Sequence, residues 1–369
     1  MRHLARAFAL AFLAALTPVL VHAQPAHPAR PAATACEAPI AGIDTFCGFV
    51  AAPNDQRLRT ILTKPTDARG RRLPAILFVQ WLSCDPVTLP ATGGDGWTQM
   101  LRGLIQRAGV VVARTEKAGL GDSGGPPCDA LGYDDELAGH RAALAALRRS
   151  EHVHGDSIYV FGASMGGTMA PFLARDGGAR GVMVWGSTAK TWTEHMIALD
   201  RRVLELRGVR PDSVHALVGG HVAFHALYLA NQRAPADIVA ERPALAAVWA
   251  RMLGTDSTRR HQYGRAIRFH HEAERANWEG AWAAVDAPVL VVRGEYDWIM
   301  GDDEHRRIAD VVNARRAGQA RYVVRPGTDH HFLVYPSQQD AFRGRGGVFD
   351  ASVLGVFIDW LSESRRVRR

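Results

Sequence analysis

Three side chains far apart in the chain could together cleave an acyl bond: Ser164 in Gly162-Ala163-Ser164-Met165-Gly166, the carboxylate of Asp297 and the imidazole of His330. A serine hydroxyl is a weak nucleophile until an imidazole takes its proton, and that imidazole needs an acid to fix its tautomer. The pentapeptide lies between a strand-like run, Ser157 to Phe161, and a helix start, Gly167 to Leu173. Ser164 should therefore stand on a sharp strand-to-helix turn, where small neighbours leave room and the helix N-terminus turns N–H groups toward an oxyanion. Asp297 falls in Gly294-Glu295-Tyr296-Asp297, directly after a strand pattern ending near Arg293, with Glu295 as its rival. His330 falls in Gly327-Thr328-Asp329-His330-His331-Phe332, with His331 as its rival.

Other motifs compete and lose on context. Residues 121–126 read Gly-Asp-Ser-Gly-Gly-Pro, a string also found around protease nucleophiles, but that chemistry needs its histidine and aspartate upstream. Once an N-terminal signal is removed, only His27 precedes Ser123. Gly119 to Gly124 also spells GxGxxG, which must open a helix to carry a pyrophosphate, whereas Pro126 and Pro127 follow. The stretch reads as a turn after a strand. His221 and His225 have the spacing of paired metal ligands on a helix, yet Val222, Ala223 and Phe224 lie between them and supply no glutamate base. Those two, and the adjacent His270 and His271, are expected to be structural. No metal and no organic cofactor is expected.

The 369 residues allow one large domain with an insertion, or two ordinary ones. Arg2 and Arg6 precede an apolar run from Ala7 to Val21, and Val21-His22-Ala23 precedes Gln24. This pattern fits a secretory signal over residues 1–23, too short and too proline-broken to span a bilayer. A lead over 24–45 would follow, in a protein exported to the periplasm or the medium, with no membrane span in the mature chain. The formal charge of +7 comes from 44 basic and 37 acidic residues scattered among one another, which excludes a nucleic-acid stripe. Four cysteines in an exported chain suggest two disulfides. Cys84 and Cys128 each follow a predicted strand, so neighbouring strands would bring their loops together; Cys36 and Cys47 would close a short loop. No CxxC pair supports zinc instead.

Strand patterns at Pro74 to Trp81, Gly109 to Ala113, Ser157 to Phe161, Gly181 to Trp185, Pro288 to Arg293 and Arg321 to Val324 alternate with helical ones. Helices are expected at Asp134 to Arg149, Asp302 to Asn313 and over the C-terminal segment, where Leu354, Phe357, Ile358 and Leu361 share a face. This order predicts an α/β fold, a mostly parallel sheet flanked by helices. Residues 190–280 break the rhythm with helical, aromatic and histidine-containing sequence, which reads as a helical cap inserted into a core of residues 46–189 and 281–369.

From Phe46 to the C-terminus the chain resembles the α/β-hydrolase superfamily, closest in organisation to its capped serine aminopeptidase-like and esterase-like members. The elbow around Ser164, the acid turn at Asp297 and the terminal His330 stand in that family's order. The resemblance implies a serine hydrolase in which Ser164 is nucleophile, Asp297 the orienting acid and His330 the base, acting on a small-molecule ester or a short peptide. It also implies an oxyanion hole from the Met165 N–H and one after Val79. Where many relatives carry His-Gly there, this chain reads Gln80-Trp81-Leu82. Leu82 is the preferred second donor, with Trp81 as the other option or as a pocket wall. An aminopeptidase would need a cap acid for the substrate amine, from Glu194, Asp200, Glu205 or Glu272. An esterase would need only an apolar pocket, for which Trp192, Phe224, Tyr228 and Trp249 are available; their alternative role is simply cap core.

Overall fold

A computed structural model describes residues 37–366. The expected signal and most of the lead, including Cys36, lie outside the described residues. The chain runs β1 (Ile43–Ala52), β2 (Gln56–Pro65), β3 (Leu73–Val79), α1 (Gly96–Arg107), β4 (Val111–Thr115), α2 (Tyr133–Arg148), β5 (Val153–Ala163), α3 (Met165–Gly177) and β6 (Gly181–Trp185). A helical segment follows: α4 (Trp192–Leu206), α5 (Pro211–His225), α6 (Pro235–Glu241), α7 (Ala246–Arg251), the two-residue strands β7 (His261–Gln262) and β8 (Arg265–Ala266), α8 (Ile267–Arg275) and α9 (Trp278–Ala283). The alternation resumes with β9 (Val289–Gly294), α10 (Asp302–Arg315), β10 (Ala320–Arg325), β11 (Leu333–Val334), α11 (Gln338–Arg343), β12 (Val348–Phe349) and α12 (Val353–Arg366).

Eight strands form one sheet in the order β1-β2-β4-β3-β5-β6-β9-β10. Only β2 runs against its neighbours, pairing antiparallel with β1 and with β4; the other pairs are parallel. Side chains alternate between faces. Ile76, Phe78, Val112, Tyr159, Phe161, Met183, Trp185, Leu290 and Val292 enter one core with α1 and α12, through Trp97, Met100, Leu104, Phe357 and Leu361. Leu77, Val79, Val111, Val160, Val182, Val184 and Val291 enter the other core, under α2, α3, α9 and α10. Burial on both faces is why these strands read as unbroken apolar runs.

The β1–β2 hairpin and α1 were not anticipated as elements. The hairpin alternates polar and apolar residues and is half solvated, and α1 is interrupted by Gly103, which lies so close to Leu354 that a Cβ would come within 2.4 Å of its Cδ1. The segment between β6 and β9 is helical apart from the short β7–β8 pair. Its aromatics Trp192, Phe224, Tyr228 and Trp249 are each 2% exposed or less and belong to the same core cluster as the sheet residues. They pack within that core. Cys84 and Cys128 are bonded to each other. Cys47 is disulfide-bonded too, and the Cys36 side of the expected second bridge lies outside the described residues.

Candidate active site

Ser164 sits between the last residue of β5 and the first of α3 with φ 53° and ψ −120°, a conformation that L-residues adopt only when the surroundings enforce it. Its neighbours show how. A Cβ on Gly162 would lie 2.5 Å from Gly167 Cα, and one on Gly166 would lie 2.1 Å from the Val79 carbonyl oxygen and 2.6 Å from that of Gln80. The turn is therefore wedged against the end of β3. The Ser164 N–H donates to the Trp185 carbonyl at 2.9 Å, tying the turn to the end of β6.

The two downstream residues meet beside it. His330 Nδ1 and Asp297 Oδ2 are 2.8 Å apart, both side chains buried. Gly186, immediately after Trp185, has φ 62°, and a Cβ there would lie 2.5 Å from His330 Cε1. The imidazole thus packs on the residue next to the one that receives the Ser164 N–H. No direct hydrogen bond joins Ser164 to His330 in this arrangement; the two are linked through Trp185 and Gly186. The His330 carbonyl accepts from Trp185 Nε1 at 2.9 Å, and Phe332 stacks on the Trp185 indole with ring centroids 4.1 Å apart.

Asp297 is held as an anion. Its Oδ1 accepts the N–H groups of Ile299 at 3.0 Å and Met300 at 2.8 Å. Burial opposes ionisation, but the charge and hydrogen bond of His330, with His305 and the Met300 N–H, outweigh it and hold the carboxyl well below the usual carboxylate range. The loop is fixed from the helical segment as well: Arg202 of α4 donates to the Trp298 and Ile299 carbonyls, both at 2.9 Å. His305 accepts the Ser187 N–H through Nε2 at 3.2 Å, with its Nδ1 2.7 Å from the Gly301 carbonyl oxygen. Burial lowers its pKa, with the Asp297 charge opposing that shift.

The rivals are engaged elsewhere. His331 is half exposed and its Nδ1 lies 3.4 Å from Asp329 Oδ2, not against Asp297. Glu295 accepts the Gly327 N–H at 2.8 Å. Ser123 Oγ accepts the Arg59 N–H of β2 at 2.9 Å, and Gly119 to Gly124 is a turn followed by a short 3-10 helix, Cys128–Ala130. His221 and His225 both reach Asp200 Oδ2, each at 2.9 Å. Among the described residues no group of three or more metal-ligating side chains is placed to hold an ion.

Met165 is the first residue of α3, so its N–H has no partner within the helix. The segment after β3 is anchored by groups that sequence reasoning missed. Lys117 donates to the carbonyls of Trp81 at 2.7 Å, Leu82 at 3.0 Å and Ser83 at 2.9 Å. Arg265 of β8 donates to the Leu82 carbonyl at 2.7 Å. The Trp81 indole turns aside, donating to Asp85 at 3.2 Å and packing on Trp97. A buried cation and a surface cation look alike in a sequence, so only the preceding apolar run of β4 hinted that Lys117 lies at a strand end.

No protein-family model matches the sequence, and no curated protein is similar to it in sequence. Solved structures do share its architecture. A hypothetical protein from Pseudomonas aeruginosa aligns at 16% identity over 88% of this chain and 95% of its own, with a TM-score of 0.54. An esterase from Pyrococcus furiosus aligns at 10% identity over 91% of this chain and 96% of its own, TM-score 0.51, and a carboxyl esterase from Tuber melanosporum at 13% over 89% of each, TM-score 0.52. The chain has the α/β-hydrolase fold. Its structural neighbours of that fold are mostly esterases.

Proposed function

We propose that the protein is a serine hydrolase that cleaves a small-molecule ester through an acyl-enzyme. The Asp297–His330 pair, packed on Gly186 beside the strained Ser164 turn, is the observation that carries this reading. With Nδ1–H donated to Asp297, the Nε2 lone pair of His330 is left to accept the Ser164 proton. Oγ then bonds to the substrate carbonyl carbon while its π electrons move to oxygen, and the Met165 and Leu82 N–H groups stabilise that oxyanion. Collapse expels the alcohol, which takes the proton from His330. Water repeats the sequence: it gives its proton to His330, attacks the acyl carbon, and releases the acid and Ser164 Oγ–H.

An ester is favoured over an aminopeptidase substrate because the carboxylates that could bind an amine are committed. Glu194 accepts the Thr191 N–H at 2.8 Å, Asp200 lies between two imidazoles, and Glu272 accepts the Asp134 N–H at 3.0 Å. Glu205 is exposed and lies 3.6 Å from Arg201. The helical segment over 190–280 serves in this reading as a cap that orders the acid turn through Arg202. Export agrees with the Cys84–Cys128 disulfide, and no helix among the described residues is long and apolar enough to cross a membrane. A fluorophosphonate probe should label the wild-type protein and not a folded Ser164→Ala variant, which should also lose turnover of short acyl esters. Labelling or turnover that survives in Ser164→Ala refutes the mechanism.

A further inference from the structure

We propose that Lys117 and Arg265 are positioning residues that aim the Leu82 N–H into the oxyanion site. The inference rests on the acyl-enzyme reading above and adds the groups that make its second donor possible in a chain lacking the usual glycine.

In a trans peptide the carbonyl of one residue and the N–H of the next point in opposite directions. The Trp81 carbonyl is drawn to Lys117 Nζ at 2.7 Å, so the Leu82 N–H faces the other way. The next two carbonyls are drawn to the same ammonium at 3.0 and 2.9 Å. An ammonium carries three N–H donors and here meets three carbonyls, a match that a neutral amine could not make. Arg265 fixes the middle peptide a second time through the Leu82 carbonyl and also reaches the Leu131 carbonyl at 3.3 Å. The elbow abuts the start of this segment, where Gly166 lies against the Val79 and Gln80 carbonyls.

Two buried cations are costly unless compensated. The Lys117 and Arg265 side chains are 2% and 0% exposed, and one carboxylate, Glu136 of α2, serves both: it lies 3.4 Å from Lys117 and is paired directly with Arg265. Cys84, the residue after the anchored carbonyls, is tied to Cys128. A loop without a glycine and with two bulky residues, Trp81 and Leu82, is thereby held by its carbonyls from behind. Arg265 belongs to the helical segment, so that segment's seating and the oxyanion donor are coupled through one guanidinium.

The test uses the full chain with Lys117→Met and Arg265→Met, an activated short acyl ester and an alkylboronic acid, which forms a tetrahedral anion on an active serine. Failure of the wild type to react with a fluorophosphonate would remove the acyl-enzyme reading itself. With labelling established, kcat should fall by roughly 10²-fold, the cost of losing one oxyanion donor. KM should stay within about twofold, and boronate inhibition should weaken by the same factor as kcat, because both report the oxyanion rather than ground-state binding. Folded variants with wild-type kcat, or with lowered kcat and unchanged boronate inhibition, overturn the proposal. If Lys117→Met does not fold, Arg265→Met beside Arg265→Lys decides: the lysine keeps a donor for the Leu82 carbonyl and should recover most of the lost kcat, whereas equal impairment of the two overturns it.

Discussion

Replacing Gly186 with alanine tests whether His330 is the general base proposed above. Gly186 has φ 62°, so alanine there costs about 1 kcal/mol of backbone strain. The larger effect is local. The new Cβ would lie 2.5 Å from His330 Cε1, 2.6 Å from Nδ1 and 3.3 Å from Asp297 Oδ2. To restore an ordinary contact of 3.4 Å the imidazole must retreat by about 0.9 Å, and a misplacement of about 1 Å costs on the order of 10²-fold in rate. The expected outcome is a kcat lowered roughly 10²-fold with KM nearly unchanged, since the displaced group acts on the proton and not on the bound ester. Steady-state kinetics on an activated ester measure this, alongside a thermal melt, in which a strain of about 1 kcal/mol should lower Tm by only about 2 °C. A folded Gly186→Ala enzyme with wild-type kcat would mean that His330 is not the base in the position described.

Two further outcomes follow from other parts of the structure. Ser123→Ala should keep its kcat and lose about 1 kcal/mol of stability, because the Arg59 N–H loses its acceptor; selective loss of turnover in a folded variant would return Ser123 to the chemistry. The pH dependence should expose Lys117, whose ammonium is pushed down to about 7, first by burial, with Glu136 opposing the shift and Arg265 adding to it. Asp85 also acts on it, and Glu116 and His140 line the same small cavity. A lysine whose folded pKa is lowered binds fewer protons folded than unfolded between about 7 and 10.5, so its contribution to stability rises with pH across that window. Catalysis should move the opposite way: as Lys117 deprotonates above about 7 one carbonyl loses its donor, and kcat should decline. A kcat that stays flat from pH 7 to 9 while stability rises would separate Lys117 from the oxyanion site.

Much of the fold was legible because it rests on local signals. The runs at Ser157 to Phe161, Gly181 to Trp185 and Pro288 to Arg293 are apolar on both faces because helices cover both sides of the sheet, and that condition leaves a mark in any one sequence. The elbow was legible for a similar reason: Gly162 stands where β5 and α3, and Gly166 where α3 and the end of β3, come too close for a Cβ. The β1–β2 hairpin was not, since one of its faces is wet and its pattern resembles a loop's.

The sequence by itself determined the order of strand, elbow, acid turn and histidine, and with it the set of residue types able to perform acyl transfer. Which histidine and which acid face one another was a question of angles at the ends of β9 and β10. There the bond of Asp329 to the His331 and Leu333 N–H groups turns His331 outward and leaves His330 against Asp297. The contacts of Lys117, Glu136 and Arg265, distant along the chain, likewise formed only when β4, α2 and β8 came together. A buried cation is distinguished from a surface one solely by what folds around it, and that information lies in no single stretch of chain.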